Sequence, residues 1–170
     1  REDGGFGGGG LVRGSGGRRR ATHIGCAASL GLDLLPTRPH PRVVVLSAGL
    51  DLVKPGMPRA ENEEYETNSW LLTTAVREAG AVGYRVHSIP DDEEELKAVI
   101  EDQLVRADLV VVSGGREADS FDLITHTLST LGEIAVVHFP IESTGPHNFG
   151  QFGPDRIPVL PLPAEPLSPP

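Results

Sequence analysis

The chain has 170 residues, enough for one compact domain and a tail but not for two full domains, because a typical domain takes roughly 100–200 residues. Its formal net charge of −9 argues against a general binder of nucleic acid or anionic membranes, since neutralising phosphates needs a surplus of Lys and Arg on one face. The single cysteine, Cys26, excludes an intramolecular disulfide and a multi-cysteine zinc cage.

The first residues lack the basic start and apolar core of a secretory signal. No apolar run approaches the ~18 residues of a membrane-spanning helix. We therefore expect a cytoplasmic protein that has neither nucleic acid nor a membrane as a partner.

Gly and Arg dominate residues 1–21, which we expect to be a disordered tail because they cannot bury enough apolar surface to offset their ordering entropy. The basic cluster Arg18–Arg20 is either a solvated flexible segment, the interpretation we favour, or a nucleic-acid contact. Residues 22–41 form a lead-in: a helix predicted from Thr22, as its N-cap, to Leu35, and then a Pro-rich extended connector.

Apolar runs alternate with helical patterns from Arg42 onwards. The first run, ending at Ser47, predicts a strand buried on both faces. A helix capped by Asn68 or Ser69 and ended by Gly80 follows. The remaining predicted elements are a strand over 84–89, a helix opened by the carboxylates of 91–95, a strand over 108–112, a helix over 120–131 ended by Gly132, and a strand over 134–139.

This rhythm predicts an α/β domain over residues 42–168, built as a doubly wound, mostly parallel sheet with helices on both faces. The acidic opening of the third predicted helix, residues 91–95, complements the helix dipole, and we favour that role over ligand binding. Ligands of such sheets bind at the carboxyl ends of the strands. That rule selects residues 47–51, residues 113–122 and the segment after Phe139.

The loop Ser113-Gly114-Gly115 follows a buried strand and leads into a helix, so its backbone N–H groups can approach an anion, although by itself the Gly pair more often marks only a tight turn. Asp122 falls in the first turn of that helix if Ser120 is its N-cap. Its carboxylate either compensates the dipole or acts in the site. Asn68 and Ser69 are ordinary caps or ligand contacts.

The six histidines show neither paired helical spacing nor the acidic motif of a zinc protease, so none is predicted as a metal ligand. Ser47, Ser113 and Cys26 stand in no recognisable nucleophile setting. Hydrolase chemistry is therefore not indicated.

Several segments occur in the order and approximate spacing of one family. They are Val43–Gly49, Thr67–Ser69, Ile89–Asp92, Ala107–Gly115 and Phe121–Leu123. They resemble the central domain of the molybdopterin molybdenumtransferases, the MoeA and gephyrin E-domain family, which has a MoaB/Mog-like molybdopterin-binding fold. Thr22–Gly25 resembles the family's lead-in helix, and residues 158–168 resemble its closing Leu-Pro-Gly-Asn-Pro-Val-Ser loop.

The resemblance implies the last step of molybdenum cofactor synthesis, in which molybdate is inserted into adenylylated molybdopterin and AMP is released. It implies a catalytic role for Asp122, which would also help to hold the Mg²⁺ that the family uses. The cofactor-binding residues that it implies are Ala48, Gly49, Asn68, Ser69, Ser113, Gly114, Gly115, Pro163, Pro166 and Ser168.

The chain departs from the family's pattern at motif positions. Leu50 replaces a carboxylate and Ala48 a hydroxyl in the Thr-Gly-Asp-Glu motif, and Ser120 stands where the family has an acidic residue. Glu142 and Gly145 replace the cations of a Lys-Pro-Gly-Lys-Pro pattern, which reverses the local field. The alternative function is a truncated, non-catalytic molybdopterin-binding or scaffold module. The family completes its site across a homodimer, so we expect a homodimer or a partner chain that supplies the missing domains.

Overall fold

The computed structural model describes residues 17–87, 89–90, 92–114, 118–137 and 147–162. It divides into two compact units, Arg1–Pro39 and His40–Pro170. Most of the predicted tail, residues 1–16, lies outside the described part of the chain, as do 138 and 139 of the last predicted strand. Within the described residues, no helix is both long enough and apolar enough to span a membrane.

In the first unit, helix α1 covers Ala21–Ser29, with Arg20 rather than Thr22 as its N-cap. The predicted extension to Leu35 is wrong. The helix ends because Gly31 has a φ of 79° and its N–H donates to the Ala28 carbonyl, while the Leu32 N–H donates to the Ala27 carbonyl. This pair of bonds is a Schellman motif, in which a left-handed residue satisfies the last helix carbonyls.

The second unit contains the α/β elements. They are β1 (Arg42–Ser47), β2 (Leu52–Val53), β3 (Glu64–Tyr65), α2 (Asn68–Glu78), β4 (Val82–Arg85), α3 (Glu93–Leu104), β5 (Leu109–Ser113), α4 (Ala118–Leu131), β6 (Ile134–Val137), β7 (His147–Phe152) and β8 (Ile157–Leu162). In the described part of the unit, six strands form one sheet in the order β4-β1-β5-β8-β7-β6. Strands β4, β1, β5 and β8 pair in parallel, whereas β7 is antiparallel to both β8 and β6.

Both faces of the sheet are covered by helices, as predicted. Val44 and Leu46 of β1 belong to a core cluster that includes Leu96 of α3 and Ile124 of α4. Val43 and Val45 of β1 belong to a second cluster, which packs against Leu72 and Val76 of α2. The all-apolar run of β1 is therefore buried because it has a core on each side.

Three predicted boundaries differ from the structure. Strand β4 covers Val82–Arg85 rather than 84–89. Helix α2 has Thr67, not Asn68 or Ser69, at its N-cap, and α4 begins at Ala118, so Ser120 is not a cap. The acidic start of α3 is confirmed, because Asp92 caps the helix by accepting the Glu95 N–H at 2.8 Å.

Candidate functional site

The carboxyl ends of β1 and β5 meet at a pair of serines. Ser47 and Ser113 end their strands, lie directly opposite each other in the parallel register, and are both buried. Their hydroxyl oxygens are 2.9 Å apart. The two central strands therefore end in a polar contact rather than an apolar one.

A buried carboxylate, Glu66, organises this polar cluster. The hydroxyls of Ser47 and Ser69 donate to its two oxygens at 2.8 Å and 2.6 Å, and the Ser69 N–H donates to it at 2.6 Å. Since the Ser47 hydroxyl proton is used on Glu66, the contact between the two strand-end serines is donated by Ser113. The hydrogen bonds of the four residues therefore converge on Glu66, from Ser113 through Ser47 on one side and from Ser69 on the other.

Glu66 is not among the site residues predicted from the sequence. A capping box has Ser or Thr first and Glu three residues later, so the reverse order of Glu66 and Ser69 gave no local signal, and only the fold brings Ser47 to the same carboxylate. The side chain occupies the place at the N-terminus of α2 where an external anion would bind.

Asn68 and Ser69, predicted as cofactor contacts, therefore lie at a helix N-terminus that an internal carboxylate already fills. The hydroxyl and the N–H of Ser69 both donate to Glu66. Asn68 is half-buried. Their roles in ligand binding stay predictions.

The predicted backbone donors at the strand ends already have partners within the protein. The Ala48 N–H donates to the Ser113 carbonyl at 2.9 Å and the Gly49 N–H to the Pro90 carbonyl at 3.2 Å. The Gly114 N–H points to the Leu162 carbonyl at 3.4 Å. Among the described residues, an anion bound at this edge would therefore use donors in the first turn of α4.

Gly114 brings the end of β5 directly against the start of α4. A Cβ atom added to it would lie 3.4 Å from Ile124 Cδ1 and 3.5 Å from the Phe121 nitrogen, which is ordinary van der Waals contact. Gly115, Pro163, Pro166 and Ser168 lie outside the described residues, as do the departures at Glu142 and Gly145.

A second buried carboxylate, Asp51, connects the segment after β1 to α4. The hydroxyl of Ser120, a buried residue inside the first turns of the helix, lies 3.3 Å from Asp51 Oδ1 and donates to it. Ser120 thus anchors α4 to the carboxyl edge of the sheet. Sequence analysis named Ser120 as a cap and did not single out Asp51 as a site residue.

Asp122, the predicted catalytic and metal-binding residue, is exposed. Asp122 lies two positions after Ser120, which is about 200° around the helix, so the two side chains leave α4 on opposite sides. Within the described residues, no cluster of three or more His, Cys, Asp or Glu side chains could hold a metal ion. The role of Asp122 stays a prediction.

Residues 44–167 match a family model described as a probable molybdopterin binding domain. Molybdopterin molybdenumtransferase 1 of Mycobacterium tuberculosis is 34% identical over 148 residues, which cover 87% of this chain and 35% of that protein. Molybdopterin molybdenumtransferase 2 of the same organism is 33% identical over 151 residues, covering 85% and 37%. The chain therefore spans about a third of the length of the curated relatives it matches.

The solved structure of a molybdopterin biosynthesis MoeA protein from Pyrococcus horikoshii superimposes with a TM-score of 0.71 at 31% identity, covering 86% of this chain and 36% of that one. A second MoeA structure from the same organism gives a TM-score of 0.60 at 20% identity and covers 88% and 34%, respectively. These similarities confirm the fold class and the family resemblance predicted from the sequence motifs.

Proposed function

Because this chain belongs to the molybdopterin-binding domain family, we propose that it binds adenylylated molybdopterin and takes part in the insertion of molybdate with release of AMP. The proposal extends the activity for which the relatives are named to a chain that spans about a third of their length. A cytoplasmic location belongs to the same proposal, as does a homodimer or a partner chain that supplies the remaining parts of the site.

The position of α4 directly after the strand β5 supports the location of the site. The N-terminus of α2 is filled by the Glu66 carboxylate. Helix α4 begins at Ala118, five positions after β5 ends at Ser113, and the Ser120 hydroxyl joins its first turns to Asp51. Helix N-termini favour anions, so the phosphate of the ligand is directed to α4.

The chain's own contribution to the reaction is positioning. Ser120, held by Asp51, fixes the first turns of α4 relative to the end of β1, and the chain of Ser113, Ser47 and Glu66 fixes the ends of the two central strands. A phosphate held at this edge would place the ligand's dithiolene beside an incoming oxyanion. Fixing two reactants in one geometry lowers the barrier by removing their translational and rotational freedom.

Among the described residues, a Mg²⁺ site would have a single protein carboxylate, that of Asp122. Asp122 is exposed and can be reached by a nucleotide phosphate, and Mg²⁺ commonly binds one or two carboxylates together with phosphate oxygens and water. When bound there, the ion would neutralise phosphate charge. Asp122 would hold it at the rim of α4.

The second candidate is a binding or scaffold module without transferase activity. The strand-end groups described here are carboxylates and hydroxyls, Glu66 and Asp51 among them, which do not attract molybdate or phosphate by charge. This composition favours a chain that binds without catalysing the transfer by itself.

The test is calorimetric titration of the chain with adenylylated molybdopterin under anaerobic conditions, with and without Mg²⁺, followed by chromatographic measurement of AMP after molybdate is added. Saturable binding supports the family function, and molybdate-dependent AMP release supports the transferase. Binding without AMP release supports the scaffold module, and a flat titration contradicts both.

Two variants locate the site. Asp122→Asn should weaken Mg²⁺-dependent binding about tenfold, the effect of losing one charge-assisted contact. Asp119→Asn, an exposed neighbour on the same helix, is the matched control and should bind like the parent chain. Equal losses in the two variants would show that only the total charge of α4 matters and would contradict the role of Asp122.

A further inference from the structure

A pocket of about 460 Å³ lies on the flank of the sheet, between the edge strand β4 and the end of α3. Its floor is apolar and its wall is largely basic. Its lining residues are Arg42, Val44, Tyr84, Arg85, Val86, His87, Gln103 and Arg106. A cavity of this size with a few polar groups on an apolar floor is typical of small-molecule sites.

The charge of the pocket is opposite to that of the chain as a whole. The chain carries a formal net charge of −9, yet three arginines and a histidine line this one concavity, and the described residues lining it include neither Asp nor Glu. A cleft lined by one sign of charge focuses the field and concentrates counter-ions. Aspartates just outside the lining offset the charge of Arg42 and Arg106, so an anion would meet Arg85 and the N–H donors that the other two arginines keep.

Two of the arginines are held in place by aspartates outside the lining. Arg42 donates through Nε and Nη2 to Asp108, at 3.2 and 3.1 Å, and Arg106 donates to Asp102. Both guanidinium groups are at least half exposed. A guanidinium carries five N–H donors, so these described contacts leave donors on each arginine for a ligand.

The third arginine is fixed by an aromatic ring and a histidine. The guanidinium of Arg85 stacks 3.9 Å from the ring centre of Trp70, and its Nη2 lies 3.1 Å from His87 Nδ1. Because guanidinium only donates, Nδ1 must accept, so the imidazole proton is on Nε2. His87 therefore offers a further N–H donor beside the arginines.

From these observations we propose that the pocket binds a small organic anion, with a phosphate or carboxylate group held by the arginines. Val44 and Val86 provide the apolar floor, and Tyr84, about half exposed, offers a ring against which a flat apolar body can pack. The site runs along β4, and its lining includes no residue of β5 or α4. It is independent of the function proposed above.

The chain carries its own reporter for this site, because Trp70 is the only tryptophan and stacks on Arg85. Phenyl phosphate, benzoate and inorganic phosphate are titrated separately against the whole chain while Trp70 fluorescence is followed at low and high NaCl. We expect a saturable change with phenyl phosphate, weaker binding of inorganic phosphate, and loss of affinity in high salt. Comparing the affinities for benzoate and phenyl phosphate shows whether the pocket prefers a carboxylate or a phosphate group.

Arg106→Gln should weaken phenyl phosphate binding about tenfold, the value of one charge-assisted contact. Asp102→Asn should tighten it severalfold, because the arginine loses its competing partner. Lys97→Gln removes one positive charge from α3 outside the pocket and should leave affinity within about twofold. The absence of saturable binding, or equal weakening by Arg106→Gln and Lys97→Gln, would overturn the proposal.

Discussion

At the scale of single residues, Glu66 shows how an acidic side chain is buried against neutral donors, the partners it has among the described residues. Burying a carboxylate costs several kcal/mol unless hydrogen bonds and dipoles offset the loss of water. Here two serine hydroxyls, one backbone N–H and the N-terminus of α2 provide the offset. The Glu66 carboxylate therefore needs these donors to stay buried, and the donors of Ser47 and Ser69 need the carboxylate as their acceptor.

Glu66→Ala should lower the free energy of unfolding by about 2–4 kcal/mol, because it leaves buried donors on Ser47 and Ser69 without an acceptor. Glu66→Gln keeps one acceptor oxygen and should cost less. Urea denaturation followed by circular dichroism measures both, with the exposed neighbour Glu61→Gln as the control. An Ala variant as stable as the parent chain would contradict the stabilising role of the cluster.

The surface pair Arg42–Asp108 makes a pH-dependent contribution to stability. Side-chain and backbone hydrogen bonds from Arg42 hold the pKa of Asp108 below its ordinary value. A carboxylate with a lowered folded pKa stabilises the protein above the unfolded pKa of about 3.9, and the contribution disappears as the pH falls through the folded pKa. Both side chains are about half exposed, so the contribution is small.

Asp108→Asn should therefore reduce stability at pH 7, and the difference from the parent chain should shrink as the pH falls from about 5 to about 2. Urea denaturation of both proteins across that range measures the difference. A gap that widens on acidification would have the wrong sign and would contradict the pairing.

At the scale of elements, α2 packs so closely on β4 that the strand needs a residue without a side chain. A Cβ atom added to Gly83 would lie 2.9 Å from the Thr73 carbonyl oxygen and 3.2 Å from Val76 Cγ1. The backbone oxygen of a helix cannot turn away as a flexible side chain can. Gly83 therefore sets the distance between the helix and the edge strand.

Gly83→Ala should destabilise the second unit by about 1–3 kcal/mol, the usual cost of forcing an extra carbon into a packed contact. Gly25→Ala adds the same methyl group in α1, where nothing lies within 4 Å, and should be neutral or slightly stabilising. Thermal denaturation compares the two. A Gly83→Ala protein that melts with the parent chain would show that α2 shifts without cost.

At the scale of the whole molecule, an excess of acidic groups opposes compactness. The sequence carries 24 Asp and Glu against 15 Lys and Arg, with an isoelectric point near 5.1. Self-repulsion of a net charge far from zero destabilises the folded state, and salt screens that repulsion. Salt also weakens the exposed ion pairs, but these contribute little to the stability of the fold.

Raising NaCl from about 0.02 to 0.5 M at pH 7 should therefore increase the melting temperature by a few degrees. The increase should vanish at a pH near the isoelectric point, which serves as the internal control. A melting temperature that falls with salt at pH 7 would show that the ion pairs outweigh the repulsion.

The parts of the fold that the sequence predicted are those governed by local pattern. The apolar runs of β1 and β5 indicated strands buried on both faces, the carboxylates after Pro90 indicated the start of α3, and Gly80 indicated the end of α2. The ordered motifs indicated the family, which the match over residues 44–167 confirms. Each of these signals lies within a few neighbouring residues.

Strand β8 escaped the same reasoning because Pro158 and Pro161 interrupt it, and proline is usually confined to edge strands. In the fold it lies inside the sheet, between β5 and β7. The stabilisation from pairing with two neighbouring strands outweighs the loss of the two N–H donors that the prolines lack. No local sequence pattern reports that balance.

The amino-acid sequence by itself determined the α/β class, the family and the strand ends at which to look, because periodicity, caps and motifs are local properties. Only the tertiary structure decided which carboxylates are buried near the carboxyl ends of β1 and β5. It joined Ser47 to Glu66 and Ser120 to Asp51 and left Asp122 exposed on α4. The physical reason is that hydrogen-bond partners 19 and 69 residues apart meet through the packing of helices on a sheet, and no spacing along the chain encodes that meeting.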